Sequence, residues 1–197
     1  MAALATPQLR SWHGASVLLL LLTALAADAT ITSFTCNHLR PHDDTFFWYS
    51  LQLLRAMAPR PTQSCHNLDD YFFNQTFLNT SHTHRDAAIA TALQILNHLS
   101  DILSSPNTPQ HWDAQARQHL LNNLHHYTHR LQKCLPDNTR LFQRQGPRNL
   151  LLSINRYFSS INTLLHTHSY SACAWDQVRR QAEACFRHLD TLLRRVK

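Results

Sequence analysis

The side chains that could do chemistry in this chain are its cysteines and its histidines. The cysteines lie at positions 36, 65, 134, 173 and 185. In an oxidising compartment such residues pair, and because five is an odd number at least one thiol is left over. Any four of them allow three pairings, so the residue pattern alone leaves the connectivity open.

Fifteen histidines raise the question of a metal site. The closely spaced pairs are His125 with His129, His82 with His84, and His166 with His168. A zinc site generally needs three or four ligands in tetrahedral geometry, and no cysteine or carboxylate completes such a set beside these pairs. We therefore expect surface histidines, with no metal and no cofactor.

Histidine-dependent catalysis, as in a basic secreted ribonuclease, is the alternative chemistry. Such an enzyme needs a paired acid and base beside a phosphate-binding lysine. The only lysines here are Lys133 and Lys197, and the helical periodicity of the chain leaves little room for strands. The sequence therefore predicts a protein that is not an enzyme.

Residues 1–30 have the composition of a secretory signal peptide. Arg10 precedes the apolar run Val17–Leu22, and the alanine-rich stretch Ala24–Ala29 follows it. The apolar run falls well short of the about 20 residues that span a bilayer. We expect cleavage between residues 26 and 35 and a secreted, extracellular product without membrane insertion.

The chain contains two acceptor patterns for N-glycosylation, a modification that occurs only on exported chains. These are Asn74-Gln75-Thr76 and Asn79-Thr80-Ser81, which lie close together in one polar segment. They predict that this segment is exposed and carries glycans on Asn74 and Asn79.

The formal charge of +6 could indicate a nucleic acid, a heparin-like polymer or an acidic protein face as partner. The basic residues are scattered along the chain, apart from the pairs Arg179-Arg180 and Arg194-Arg195. Scattered charge is typical of a solvated, mildly basic surface. We therefore favour that interpretation and expect no nucleic-acid partner.

Helical periodicity dominates the chain after the signal. Only one glycine, Gly146, remains there, which argues against a fold of many tight β-turns. Apolar residues instead recur every three or four positions in five blocks, the period of an amphipathic helix. The blocks are Phe46, Leu53, Leu54 and Met57; Ile89, Leu93, Leu96, Leu99 and Leu103; Ala116, Leu120, Leu124, Tyr127, Leu131 and Leu135; Leu151, Ile154, Phe158, Ile161 and Leu165; and Trp175, Val178, Ala182, Phe186, Leu189, Leu193 and Val196.

Proline, glycine and capping residues predict where these helices begin and end. The first begins after Asp43-Asp44 and stops at Pro59. Thr108-Pro109 supplies a capping hydroxyl, followed by proline at the first position of the third helix. Gly146-Pro147 precedes the fourth helix, and the last begins at Ser171.

The segment from about Pro59 to Thr83 has no clean helical period and is longer than most helix connections. A long overhand crossover of this kind is needed when the first two helices of a bundle run parallel. We therefore predict one all-α domain over residues 36–197, a long-chain, five-helix cytokine bundle of the up-up-down-down type.

Several short motifs resemble those of one cytokine family. The hexapeptide Tyr170–Trp175 is similar to the signature that opens the last helix of type I interferons, and Arg156–Phe158 and His111–Asp113 lie at that family's spacings. Cys36–Pro41 and Ile102–Pro106 resemble the interferon alpha of birds in particular. The match covers nearly all of the chain after the signal.

The resemblance implies a pairing of the cysteines. Its pattern joins Cys36 to Cys134 and Cys65 to Cys173, and each bridge would close a loop of about 100 residues. Cys185 departs from the family's four-cysteine pattern and lies beside Phe186. We favour a buried free thiol there over an intermolecular bridge.

The resemblance also implies a secreted, monomeric antiviral cytokine of innate immunity that binds both chains of the type I interferon receptor and starts Janus kinase/STAT signalling. Another helical cytokine or a small-ligand carrier is the alternative, although a carrier needs a cavity and the apolar stripes indicate a filled core. The positions implied for the high-affinity receptor chain are Asp69, Arg179, Arg180, Glu183, Ala184, Arg187 and His188. Those implied for the low-affinity chain are Ser100, Asp101, Ser105, His125, Asn155 and Arg156.

Two of these implications carry expectations of their own. Helical periodicity places Arg179, Arg180, Glu183 and Arg187 on the solvent face of the last helix. Asp69 stands where mammalian alpha interferons have an arginine that anchors the receptor, so we expect a receptor surface of different charge opposite it.

Overall fold

A computed structural model describes residues 39–58, 65, 85–135 and 148–195. Within these ranges the chain forms helices alone, and their number confirms the all-α, five-helix prediction. The helices are α1 (Leu39–Met57), α2 (Arg85–Leu103), α3 (Ala114–Lys133), α4 (Arg148–Thr167) and α5 (Ala172–Arg194). The predicted signal peptide, residues 1–30, lies outside the described residues.

The starts of α4 and α5 agree with the sequence prediction. Ser171 caps α5, because its hydroxyl accepts a hydrogen bond from the Ala174 N–H at 3.3 Å. α4 begins directly after Gly146-Pro147, as predicted. α1 begins at Leu39, four residues before the predicted Asp43-Asp44 boundary. Pro41 is tolerated there because it falls in the first turn, where the backbone N–H has no helical partner.

The predicted start of α3 was wrong. Asp113 caps the helix instead of Thr108, and its carboxylate accepts a hydrogen bond from the Ala116 N–H at 2.6 Å. Long-range contacts decide the register, because Trp112 is buried and the Asp113 N–H donates to the Met57 carbonyl at 3.0 Å. Such partners cannot be read from a local cap pattern.

Side-chain contacts give the directions of the helices. Phe46, near the start of α1, stacks on Tyr127, near the end of α3, with ring centroids 3.7 Å apart. At the other end of α1, the Met57 carbonyl accepts a hydrogen bond from the N–H of Asp113, the residue before α3. α1 and α3 are therefore antiparallel. Arg117, near the start of α3, donates to the carbonyl of Leu103 at the end of α2 at 2.9 Å, so α2 and α3 are antiparallel as well. α1 and α2 thus run in the same direction.

The last two helices complete the arrangement. Gln94 of α2 donates to Asn155 of α4, and the later residues Ile102 and Leu165 line one groove, so α2 and α4 run in parallel. α5 returns antiparallel to α4 and lies against α1. The bundle of α1, α2, α3 and α5 is up-up-down-down, as predicted, and α4 packs against α2 and α5.

The core follows the predicted stripes closely. Most of the apolar residues assigned to the helix interiors are buried, and Trp175 and Phe186 of α5 are completely so. One exception is Leu151, which is half-buried because the buried stripe of α4 runs from Leu150 to Ile154. Ala116 and Leu135 are also only partly buried, at the edge of the core. In the described part of the chain, no helix has both the length and the hydropathy needed to cross a membrane.

Candidate functional site

The turn before α5 positions the first residues of the candidate site. Ser169 and Tyr170 have positive φ values of 48° and 54°, a conformation that costs non-glycine residues about 1 kcal/mol each. A hydrogen bond from the Tyr170 N–H to the Leu165 carbonyl at 2.8 Å offsets this cost. The Tyr170 hydroxyl lies 3.2 Å from the ring nitrogens of His166. This tight turn directs Ser171 and the start of α5 back along the bundle.

A disulfide fixes the first turn of α5 to the connection between α1 and α2. Cys65 and Cys173 are bonded with their Cα atoms 5.5 Å apart, as the resemblance implied. Cys134 is disulfide-bonded as well, and Cys36, its predicted partner, lies outside the described residues. The loop closed by the observed bridge spans 108 residues of sequence.

Arg179 does not lie on the solvent face of α5, and that expectation was wrong. Its side chain is only 8% exposed, and its Nε and Nη2 atoms donate to the Asp176 carboxylate at 3.0 and 2.8 Å. Glu183 contributes a second carboxylate, with an oxygen 3.9 Å from Nη1. Two carboxylates, one helical turn before and one after, compensate for the desolvation of this guanidinium.

Glu183 is the centre of the charged face. Its carboxylate lies 3.0 Å from Arg55 Nε on α1, 3.7 Å from Arg187 Nη2 and 3.9 Å from Arg179 Nη1. Arg55 and Asp176 were not among the predicted site residues. The spacing of three residues between Asp176 and Arg179 was a local signal that could have found that pair. Arg55 is 128 residues from Glu183, and no sequence spacing links them.

The remaining positions implied for the high-affinity chain divide by exposure. Arg187 has 64% of its side chain exposed and Arg180 has 38%, so both side chains reach solvent, although the Nε atom of Arg180 is buried. Ala184 and His188 are half-buried beside them on α5. Asp69 lies outside the described residues.

The structure brings together the α2 and α4 positions implied for the low-affinity chain. Asn155 Oδ1 accepts from Gln94 Nε2 at 3.2 Å and lies 3.0 Å from His98 Nε2. The His98 ring in turn stacks on Phe158 at 4.6 Å. Arg156 is exposed next to Asn155.

Asp101 in the last turn of α2 and Ser105 just after the helix line a groove of about 330 Å³ that also includes Tyr170. Ser100, one residue before Asp101, is half-buried. His125 lies on α3, where its ring contacts that of His126. The structure therefore groups most of the implied positions on the α2 and α4 side and leaves His125 on a third helix.

Cys185 is a buried free thiol, as predicted. Its sulfur lies 3.8 Å from the Tyr157 hydroxyl, which donates to Gln181 Oε1 at 2.8 Å. Burial raises the pKa of the Cys185 thiol to about 12, and the hydrogen bond with Tyr157 only partly opposes this. Burial likewise raises the pKa of the Tyr157 phenol well above its ordinary range. Neither group is suited to act as a nucleophile or base at neutral pH.

Within the described ranges, no three histidine, cysteine or carboxylate side chains lie close enough to share a metal ion. His125 is beside His126, and His166 is beside Tyr170. The predicted glycan acceptors Asn74 and Asn79, together with His82 and His84, lie outside the described residues.

The parallel first pair of helices, the crossover that it requires and the added fifth helix define a long-chain helical-bundle cytokine. The fold is similar to that of zebrafish interferon 1, with a TM-score of 0.66, 19% identity, and coverage of 83% of this chain and 99% of that one. The family model described as "Interferon alpha/beta domain" matches residues 39–196. The chain belongs to the interferon alpha/beta family.

Bird interferons are similar to it over nearly its whole length. Chicken interferon type B is 50% identical over 92% of this chain and 86% of its own. Chicken interferon type A1/A2 is 48% identical over 98% and 97%, and turkey interferon is 45% identical over the whole of both chains. The resemblance to bird type I interferons is therefore confirmed, and the family is one of cytokines, not enzymes.

Proposed function

We propose that this type I interferon is a secreted antiviral and immunomodulatory cytokine that binds both chains of the type I interferon receptor. Binding brings the two receptor chains together, so that the Janus kinases on their cytoplasmic tails activate one another and STAT-dependent transcription of interferon-stimulated genes follows. The ligand acts as a monomer and supplies no chemistry of its own.

The charged face of α5 is the observation that carries this proposal. It consists of Arg179, Arg180, Glu183 and Arg187. It is held to α1 by Arg55 and to the connection between α1 and α2 by the Cys65–Cys173 bridge. A surface held at several points loses little conformational entropy on binding, so exposed guanidiniums can form charge-assisted hydrogen bonds at low cost. Arg180 and Arg187 are the proposed direct contacts. Asp176 and Glu183 hold them in place, and Arg179 pairs with both of these carboxylates.

The low-affinity receptor chain is proposed to bind the α2 and α4 side. Asn155 is held there by Gln94 and His98, and Asp101 and Ser105 line a groove between the same two helices. Arg156 is exposed next to Asn155. Small polar groups dominate this surface, which favours a weaker interface than the arginine-rich face of α5. Different affinities on two sides of one rigid ligand make receptor assembly stepwise.

Secretion follows in this proposal from the signal peptide predicted for residues 1–30. Expression of the full chain in animal cells tests it, together with glycosylation at Asn74 and Asn79. The expected product is found in the medium, lacks the first 26 to 34 residues on N-terminal sequencing, and shifts in mass when N-glycans are removed, since cleavage is expected between residues 26 and 35. Retention of the uncleaved chain inside the cells would contradict it.

The signalling function is tested in bird cells that carry an interferon-response reporter. The purified chain should induce the reporter and protect the cells from virus, and an antibody that blocks the type I interferon receptor should abolish both effects. A response that persists under the blocking antibody would assign the chain to another receptor. Absence of any response from correctly folded protein would sink the proposed function.

A further inference from the structure

Acidic and arginine side chains repeat along α5 with a period of seven residues. Each acidic residue pairs with the arginine one helical turn later, at 3.3, 3.7 and 2.7 Å in chain order. The pairs are Asp176–Arg180, Glu183–Arg187 and Asp190–Arg194. Residues seven apart lie on nearly the same side of a helix, so Arg180, Arg187 and Arg194 form one row, termed here the arginine row.

The arginines of this row lie outside their acidic partners. Arg180, Arg187 and Arg194 have 38%, 64% and 55% of their side chains exposed, whereas their carboxylate partners have 10%, 18% and 31%. The carboxylates therefore hold one guanidinium nitrogen of each arginine from beneath, and each arginine side chain is more exposed than its acidic partner, although the Arg180 Nε atom itself is buried. With Arg55 and Arg179 included, the ion pairs of this face between described residues join five arginines to three carboxylates. Arg195, at the end of α5, is also exposed.

The row has the dimensions of a site for a linear anion. Seven residues rise about 10.5 Å along a helix, so the row extends about 21 Å from Arg180 to Arg194. A guanidinium binds the oxygens of sulfate or phosphate groups in a planar, bidentate way that lysine cannot match. A polymer with anionic groups along its length can lie along the helix axis and reach each arginine in turn.

We propose that the arginine row binds a sulfated polysaccharide of the cell surface, with Arg195 extending the site at its end. Nucleic acid fits less well, because single-strand binding needs aromatic side chains on which bases stack. The aromatic residues of α5, Trp175 and Phe186, are completely buried in the core. The exposed face offers charge and hydrogen-bond donors, which is what sulfate groups require.

This site goes beyond the receptor-binding function and overlaps it only in part. Arg180 and Arg187 belong to both surfaces, so a bound polysaccharide competes with the high-affinity receptor chain. Arg194 and Arg195 lie beyond the positions implied for the receptor. Removing their charges therefore weakens polysaccharide binding while leaving receptor binding intact.

The test measures binding of the purified full chain to immobilised heparin at an ionic strength of about 0.15 M, the physiological value. The row variant combines Arg194→Gln with Arg195→Gln. The matched control combines Lys133→Gln with Arg156→Gln and removes the same charge from α3 and α4. We expect the row variant to bind heparin about fivefold more weakly, from the loss of two exposed charge contacts, and the control to change less than about twofold.

Three results would overturn the proposal. The first is that the unmodified chain does not bind heparin at that ionic strength. The second is that the row variant and the control lose heparin affinity to the same extent. The third is that the row variant loses affinity for heparin and for duplex DNA to the same extent. The last result would assign a general polyanion surface.

Failure of the receptor function is recognised separately, as a missing reporter response with heparin binding intact. The row variant should keep a full response in cells that lack surface sulfated polysaccharides.

Discussion

Arg55 and Glu183 form an ion pair across the bundle, with Arg55 Nε 3.0 Å from Glu183 Oε1. The pair joins the last turn of α1 to the middle of α5. The same carboxylate lies near Arg179 and Arg187. One side chain thus links the packing of two helices to the arrangement of the charged face.

Replacing Glu183 with glutamine should lower the free energy of unfolding by about 2 kcal/mol, because the largely buried Arg179 then keeps only Asp176 as a charged partner. Urea unfolding measures the change. Asp190→Asn is the matched control, since it breaks a more exposed pair with Arg194 and should cost about 0.5 kcal/mol or less. Equal losses in the two variants would contradict the central role assigned to Glu183.

Replacing both Arg180 and Arg187 with alanine should weaken binding of the high-affinity receptor chain at least about tenfold, the loss typical of central interface arginines. The free energy of unfolding should fall by less than about 1 kcal/mol, because both side chains are largely or partly exposed. Surface plasmon resonance on the isolated receptor ectodomain and thermal melting separate the two effects. Unchanged receptor affinity in this double variant would count against the α5 face.

Arg179→Ala provides the contrast to that double variant. Asp176 and Glu183 lose a partner that is only 8% exposed, so we expect about 2 to 3 kcal/mol less stability, even without receptor present. Any weaker receptor binding should then follow from a smaller folded fraction or a displaced Glu183. A variant with full stability and strongly reduced affinity would instead make Arg179 a direct receptor contact.

Removing the observed disulfide with Cys65→Ser and Cys173→Ser should destabilise the fold severely. A bridge that closes a loop of about 100 residues contributes about 4.7 kcal/mol by the chain-entropy argument, against a total stability of about 5 to 15 kcal/mol. The expected result is a large drop in the urea midpoint and in reporter activity. Cys185→Ala, which leaves both bridges in place, is the control, and a similar midpoint in the two proteins would contradict the prediction.

The Cys185 thiol should be inert in the folded protein. With its pKa raised to about 12, only about one molecule in ten thousand carries the thiolate at pH 8. A colorimetric thiol reagent should therefore detect almost no thiol in the native chain and one equivalent after denaturation. Rapid labelling of the native protein would show that the side chain is accessible.

The same shift predicts a dependence of stability on pH. An unfolded cysteine ionises near pH 8.5, whereas the folded Cys185 stays protonated until about pH 12. The stability that this thiol contributes is complete below the unfolded pKa and is lost as the pH rises towards the folded one. Between pH 9 and about pH 11 the melting temperature of Cys185→Ala should therefore fall less steeply than that of the unmodified chain. Parallel curves would contradict the assigned shift.

Much of the fold was predictable because it is written in local patterns. A period of three to four apolar residues marks each helix, and most of the residues placed in the core, such as Ile89 and Leu189, are buried. Ser171 was recognised as the start of α5 because the last periodic apolar block begins there, and the structure shows that its hydroxyl caps the helix. The start of α3 was predicted wrongly. The hydrogen bond between the Asp113 N–H and the Met57 carbonyl joins it to another helix, and no local pattern contains this contact.

The candidate site was predictable only in part, and Arg179 shows why. Helical periodicity places a charged residue at the border of the apolar stripe in solvent, yet Arg179 is buried. Its burial depends on the ion pairs with two carboxylates, on the packing of neighbouring helices and on the side-chain rotamer that this packing allows. Periodicity describes direction around one helix and contains no information about the partners across it.

By itself the sequence determined the number of helices, the family and most residues of the core, and it favoured the free thiol at Cys185. The helices, the core and the family follow from periodicity and from motifs whose members lie within a few residues of one another, and the free thiol follows from the departure of Cys185 from the family's four-cysteine pattern. Only the tertiary structure decided the start of α3, the burial of Arg179 and the pairing of Arg55 with Glu183. Two of those features depend on groups more than 50 residues apart in the chain, the backbone of Met57 with that of Asp113 and the side chain of Arg55 with that of Glu183, and folding alone brings them together. The burial of Arg179 depends on competition between solvent and the neighbouring carboxylates.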